Sequence, residues 1–252
     1  MVKAKQIKKP GKNEPSWSSK YSRLKRVLIN RFTKSFLAIL FILAALPIAF
    51  TLIYTIPGTT PGSTLMLARV FTLQSMDRRW IALDDIAQVV PQSVIMSEDG
   101  QFCSHRGVDW NELTAVIDDA LDGEKTRGAS TLSMQTVKNL FFWPQRSFVR
   151  KVIEIPYAML ADLIWSKRRM MEIYLNIAEW DEGIFGIEAA SQHYFKRSAS
   201  KLSRRQAALL TVTLPNPKNR NPAKPTRNLT KLARVIEKRA TQSGAYIKCL
   251  EK

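Results

Sequence analysis

The chain has 252 residues, with 39 Lys and Arg against 21 Asp and Glu for a formal charge of +18. Such a balance invites a nucleic-acid partner, yet eleven of those cations lie between Lys3 and Lys34 with the single acid Glu14, which puts 11 − 1 = +10 there and leaves 18 − 10 = +8 elsewhere. No nucleic acid is needed to explain it. Two cysteines and two histidines are too few for a disulfide framework or a zinc cluster, so Cys103 and Cys249 are expected to be free thiols.

In chain order, residues 1–34 form a basic leader and 35–57 a membrane anchor. Ser35 to Ile56 carries no charge over 22 residues, about 33 Å as a helix and enough for a bilayer core. Pro47 is tolerable there because a membrane helix can adjust around one missing hydrogen bond. A cleaved signal peptide is the alternative, but the charged leader is long, the apolar run exceeds a signal core, and no clear AxA site follows. Positive residues stay on the cytoplasmic side, so the N-terminus is expected inside and everything after Pro57 outside. The leader then reads as a topology signal that also touches anionic lipid headgroups.

Residues 58–66 read as a linker, 67–245 as one catalytic domain and 246–252 as a tail. Between Leu65 and Ile95 apolar residues recur at helical spacing, predicting short helices that include IALDDIAQVVPQSVIM. A loop is expected from Ser97 to Asp109, a helix from about Trp110 to Leu121, and an exposed glycine-punctuated loop from Asp122. Helical sequence dominates from Ser130 onward, with Pro156 expected to break or bend the run that follows Arg146. A basic helix follows near Leu229, Leu232, Ala233 and Ile236. Without βαβ alternation or repeats, the fold class is mainly α.

Three stretches hold the candidate chemistry. In EDGQFCSHRG, Glu98 follows the apolar SVIM, where desolvation would raise its proton affinity and suit it to act as a general base; an exposed acidic turn is the plainer alternative. His105 reads as an ordinary hydrogen-bonded structural imidazole. In GASTLSMQTVKN, a helix start with the hydroxyls of Ser130 and Thr131 can bind an anion or sugar oxygen, and Thr131, Gln135 and Lys138 share one face. A capped surface helix explains that stretch equally well. In RSFVRKVIE, Arg146, Arg150 and Lys151 surround Glu154 and could grip a diphosphate, with Glu154 steering them or holding a divalent ion; intrahelical salt bridges on a solvated face are the competing account.

Together these stretches resemble the family 51 glycosyltransferases, the peptidoglycan polymerases. EDxxFxxHxG is met at Glu98, Asp99, Phe102, His105 and Gly107; GxSTxxxQxxKN at Gly128, Ser130, Thr131, Gln135, Lys138 and Asn139; RKxxE at Arg150, Lys151 and Glu154. Stretches resembling RRxxExYLN, from Arg168 to Asn176, and AALLxxxLPNP, from Ala207 to Pro217, follow. Met134 stands where many members carry a second Gln, which puts one polar contact to the donor sugar in doubt. SASK, Ser198 to Lys201, satisfies a transpeptidase SxxK only superficially, since no KTG or SDN accompanies it.

The resemblance implies a lysozyme-like helical domain behind one transmembrane helix, in the bacterial inner membrane with the catalytic domain in the periplasm. It implies lipid II and the growing lipid-linked glycan as substrates, with cell-division or elongation proteins as conceivable partners. Glu98 would be the base. Lys138, Arg146, Arg150 and Lys151 would hold the leaving diphosphate, Ser130, Thr131 and Gln135 would orient sugar or phosphate, and Glu154 would position the cations or bind Mg²⁺ or Mn²⁺. No organic cofactor is expected. The rivals are a lytic enzyme cutting the same glycan and a non-catalytic membrane scaffold.

Overall fold

The computed structural model describes residues 17–123, 128–145 and 147–251. Residues 1–16 of the basic leader, 124–127 of the glycine-punctuated loop and the candidate cation Arg146 lie outside the described residues. The chain divides after Ile48 into two compact units. Helix α1 (Trp17–Ile53) runs through Pro47 and contains Asn30–Ile53, an apolar stretch of 24 residues long enough to cross a bilayer, with its side chains almost wholly exposed.

From Ala49 onward the second unit is mostly helical. Ser63 caps α2 (Thr64–Phe71) by accepting from the Met66 amide, and the Thr64 hydroxyl donates to the Phe142 carbonyl at 2.7 Å. Then come α3 (Val89–Glu98), α4 (Trp110–Leu121), α5 (Leu132–Phe141), α6 (Phe148–Ile164) and α7 (Lys167–Ile177). Helices α8 (Ile187–Phe195), α9 (Arg204–Thr211) and α10 (Arg227–Thr241) follow. Helix α7 is the axis of the core: Met170, Met171, Ile173, Tyr174, Leu175, Asn176 and Ile177 are all buried, because α5, α6 and α8 pack around it. On the other side, α3 packs with α9 and α10, which share a cluster of Leu209, Val212, Leu229, Ala233 and Ile236. Leu232, counted in the apolar stripe of α10, is exposed instead.

Four features depart from the sequence reading. A small sheet of order β1-β3-β2 joins β1 (Asp77–Arg78) parallel to β3 (Ile184–Phe185), which pairs antiparallel with β2 (Glu179–Asp181). Its strands are two or three residues long, too short for any alternation to show. The helical spacing from Ile81 yields only a 3-10 turn, Leu83–Asp85, before α3, because Asn176 on α7 captures the Ile81 amide and carbonyl at 2.9 and 2.8 Å. Helix α6 is not broken at Pro156, which like Val152 one turn before it is exposed, a place where water can serve the carbonyl that proline leaves without a donor. The run breaks instead at Ser166, which caps α7 by accepting from the Arg169 amide at 3.1 Å.

The fourth departure is covalent. Cys103 and Cys249 are not free thiols but form a disulfide across 146 residues, with Cα atoms 5.4 Å apart. The fold creates this proximity: the 3-10 segment Gly244–Leu250 folds back on α3 and α7, beside the turn that follows Glu98. Closing so long a loop removes much freedom from the unfolded chain, worth about 4–5 kcal/mol in the chain-entropy account. A Cys103→Ser, Cys249→Ser variant is expected to melt about 10 °C lower by calorimetry, whereas an unchanged Tm would show the bridge to be dispensable.

Candidate functional site

The site is assembled where the end of α3 meets the start of α5. Asp99, the residue after the last turn of α3, is buried; its carboxylate accepts from the Leu132 amide at 2.8 Å and bonds His105 Nε2 at 2.9 Å. His105 is thus the structural imidazole anticipated. Thr131 caps α5, accepting from the Met134 amide at 3.1 Å and donating to the Gly107 carbonyl at 2.6 Å. Gly107 has φ +82° and its backbone lies against α6, where a Cβ would come within 2.6 Å of the Ala158 carbonyl. Only glycine satisfies both demands.

This clamp sets Glu98 beside the cations. Glu98, Ser130, Gln135, Lys138, Arg150, Lys151 and Glu154 line one recess of about 730 Å³ together with Met134. Thr131 borders an adjoining recess, but its hydroxyl is engaged in the cap and in Gly107. The Ser97 hydroxyl donates to Glu98 Oε1 at 3.1 Å, and Gln135 Nε2 donates to Glu98 Oε2 at 3.4 Å. Burial nonetheless dominates and pushes the Glu98 carboxyl above its usual range, with Asp99 adding to the rise and Ser97, Gln135 and Arg220 opposing it.

Helix α6 is amphipathic in the inverse sense. Arg150, Glu154, Ala158 and Ala161 face inward, while Phe148, Val149, Val152, Met159 and Leu163 are exposed. Arg150 Nε lies 2.8 Å from Glu154 Oε1, a direct ionic contact without hydrogen-bond alignment, and Arg150 Nη1 donates to the Trp143 carbonyl at 2.7 Å. Lys151 Nζ donates to Ser130 Oγ at 2.6 Å. Burial lowers the Lys138 and Lys151 ammonium groups, and Glu154 pulls both back toward the charged form. Burial likewise raises Glu154, outweighing Arg150, Lys151 and Lys138. The charged set is therefore desolvated, which strengthens its grip on an incoming anion.

Glu154 does not fit as the anchor of a metal ion. Its carboxylate already contacts Arg150 and faces two ammonium groups, and among the described residues no three His, Cys, Asp or Glu side chains gather into a cation site. It fits as the counter-ion that makes three neighbouring cations affordable.

Two further recesses meet at Glu98. One is lined by Arg220, Leu232, Val235 and Arg239, the other by Asp109, Glu112, Arg239 and Tyr246. Arg220 acts on Glu98 electrostatically and is held by the Val212 carbonyl at 2.6 Å. Nothing in the local pattern singles out Arg220 or Arg239, since both belong to a uniformly basic stretch and lie more than 120 residues from Glu98. A separate, smaller recess of about 130 Å³ among Leu83, Pro91, Arg168 and Leu250 shares none of these residues.

A half-buried carboxylate and a partly desolvated group of cations line one recess, a combination suited to group transfer onto or away from an anionic group. The profile of a family described as Transglycosylase matches residues 65–241. A biosynthetic peptidoglycan transglycosylase of Brucella suis biovar 1 (strain 1330) is 58% identical over 215 residues, 85% of this chain and 96% of that one. Proteins of the same name from Rhizobium meliloti (strain 1021) and Agrobacterium fabrum (strain C58 / ATCC 33970) are 62% and 57% identical, over 81% and 89% of this chain and 87% and 98% of theirs. The chain belongs to the transglycosylase family.

Burial raises both glutamates, so neutralising either is expected to separate turnover from stability. A carboxyl whose folded pKa is raised is destabilising when ionised, and the cost appears as pH rises through the unfolded value. Glu98→Gln is therefore expected to leave Tm unchanged or raised at pH 7 while lowering turnover at least 10²-fold. Glu154→Gln withdraws the charge that Arg150 Nε contacts at 2.8 Å, but burial raises the Glu154 carboxyl as well, so its loss is expected in turnover rather than in Tm at pH 7.

Proposed function

We propose that this protein is a membrane-anchored peptidoglycan glycosyltransferase that polymerises lipid II into β-1,4 glycan strands and releases undecaprenyl pyrophosphate. The relatives named biosynthetic peptidoglycan transglycosylases support the reaction. The observation that carries the reading is the shared recess in which Glu98 faces Lys138, Arg150 and Lys151.

Glu98, ionised and desolvated, takes the proton from the acceptor's sugar 4-hydroxyl. The freed oxygen attacks the anomeric carbon of the growing chain, and the bond from that carbon to the diphosphate oxygen breaks with inversion. Lys138, Arg150 and Lys151 receive the negative charge that develops on the departing diphosphate. Ser130, which accepts from Lys151, and Gln135, which donates to Glu98, orient the groups on either side. Glu154 holds the cations in place without drawing them out of the cleft.

A lytic enzyme is disfavoured by the leaving group. Cutting a glycan expels a sugar hydroxyl, which needs an acid, and beside Glu98 this recess holds three cations with Glu154 engaged by Arg150. A scaffold has no use for desolvated ammonium groups that burial holds in an unfavourable state.

We place the catalytic domain outside the cytoplasm at the bacterial inner membrane, with the N-terminus inside. The Cys103–Cys249 bridge suits an oxidising compartment, and the basic leader ahead of Asn30–Ile53 suits the cytoplasmic side. The exposed apolar side chains of α2 (Leu67, Val70, Phe71) and α6 (Phe148, Val149, Val152, Leu163) suit contact with the bilayer from which a lipid-borne substrate is drawn.

Purified full-length protein given labelled lipid II in detergent is expected to form long glycan strands. Because Glu154 fits a counter-ion better than a metal ligand, polymerisation is expected to persist in excess EDTA. Lys138→Ala is expected to lower kcat by about 10²-fold, as for loss of one transition-state charge donor. Lipid II recovered as monomer in every condition would refute the proposal.

A further inference from the structure

One hydrogen-bonded chain leads from the cleft back into the core. Gln135 lies at its centre: Nε2 donates to Glu98 Oε2 and to the Ser130 carbonyl, both at 3.4 Å, and Oε1 accepts from the Tyr174 hydroxyl at 3.2 Å. Tyr174 stands on α7, the central helix, and is 1% exposed. Its backbone amide and carbonyl belong to that helix, so its ring is fixed by the packing of the whole domain. Burial, followed by the charges of Glu98 and Asp99, keeps the phenol protonated, so it serves as a donor and never competes with Glu98 for the amide hydrogens.

A glutamine amide is nearly symmetric in shape, and rotating it by half a turn would point its oxygen at the Glu98 carboxylate. A committed donor behind the amide opposes that rotation. We propose that Tyr174 is a positioning residue for the glycosyl transfer, acting through Gln135: its hydroxyl holds the amide with the NH₂ toward Glu98, fixing the carboxylate in the rotamer that meets the incoming alcohol. The inference rests on the assignment of Glu98 as the base in the proposed function.

The consequence is visible in the pH dependence. The charged and titratable groups around Glu98 are Asp99 at the end of its own helix, Lys138 on α5, Arg150, Lys151 and Glu154 on α6, Tyr174 on α7 and Arg220 after α9, with Asp109, Glu112 and Arg239 lining adjoining recesses. Removing the Tyr174 hydroxyl alters none of the others. The Gln135 amide then donates less well, the ionised form of Glu98 loses a stabilising partner, and its pKa rises. A base works only when ionised, so the acid limb of kcat/KM moves to higher pH.

The test is lipid II polymerisation by the full-length chain as a function of pH, comparing the unmodified protein with Tyr174→Phe, Gln135→Ala and the double variant. Tyr174→Phe is expected to lower kcat about tenfold at neutral pH, the worth of one hydrogen bond, with KM within about twofold. Its acid limb is expected to move up by roughly half a pH unit. The double variant is expected to lose no more than Gln135→Ala alone, because both changes break one chain. A uniform loss of rate with the acid limb in place, or losses that multiply in the double variant, would overturn the inference. Should Tyr174→Phe fail to fold by circular dichroism, Gln135→Ala decides: an unmoved acid limb overturns the inference and a raised one supports it. An unmodified protein inactive on lipid II would remove the functional reading itself, a result separate from any of these.

Discussion

The Asp99 carboxylate is the joint on which the site depends. By accepting from the first amide of α5 and from His105, it ties the end of α3 to the beginning of the helix that carries Gln135 and Lys138. Glu98 precedes it by one residue, so whatever fixes Asp99 also fixes the backbone of Glu98. Thr131 and Gly107 extend the joint to α6, which brings Arg150, Lys151 and Glu154 to the same recess. A carboxylate with two such donors is costly to disturb, because each would be left buried and unpaired.

The cleft is held in a state the isolated groups would not choose. Burial favours neutral Glu98, neutral lysines and neutral Glu154 alike. The two acids are each offset by a cation, and with Lys138, Arg150 and Lys151 against Glu98 and Glu154 one positive charge is left over for an anion to complete. Stability spent in this way is returned when an anion arrives, which is the arrangement expected of a site specialised for a diphosphate leaving group. The inside-out character of α6 belongs to the same design, since charged residues that face the recess leave the apolar ones on the outside.

The disulfide and the central tyrosine give this cleft its backing. Cys249 secures the segment whose Tyr246 lines one of the three recesses, and Cys103 secures the turn that follows Glu98. Tyr174 and Asn176 of α7 serve similar ends from within, the first through Gln135 and the second by clasping the chain at Ile81. Glu98 thus lies at the end of α3 and Ser130 just ahead of α5, while Gln135, Lys138, Arg150, Lys151 and Glu154 project from within α5 and α6 and are backed by the deeply packed α7.

Local chemistry in the sequence was enough for an apolar helix long enough to cross a bilayer, for α4 between Trp110 and Leu121, and for the mainly helical class, because charge, apolar length and periodicity are properties of neighbouring residues. The ordered motifs were enough to group Glu98 with Ser130, Gln135, Lys138, Arg150, Lys151 and Glu154. Only the tertiary structure decided that Thr131 is a cap, that α6 passes Pro156 unbroken, that Cys103 meets Cys249, that Arg220 comes near Glu98 and that Tyr174 bonds Gln135. Each of these turns on which side chain a distant segment places nearby, or on whether water reaches a carbonyl. Such facts belong to packing, where burial of the whole chain sets the cost of every polar group, and no window of adjacent residues contains them.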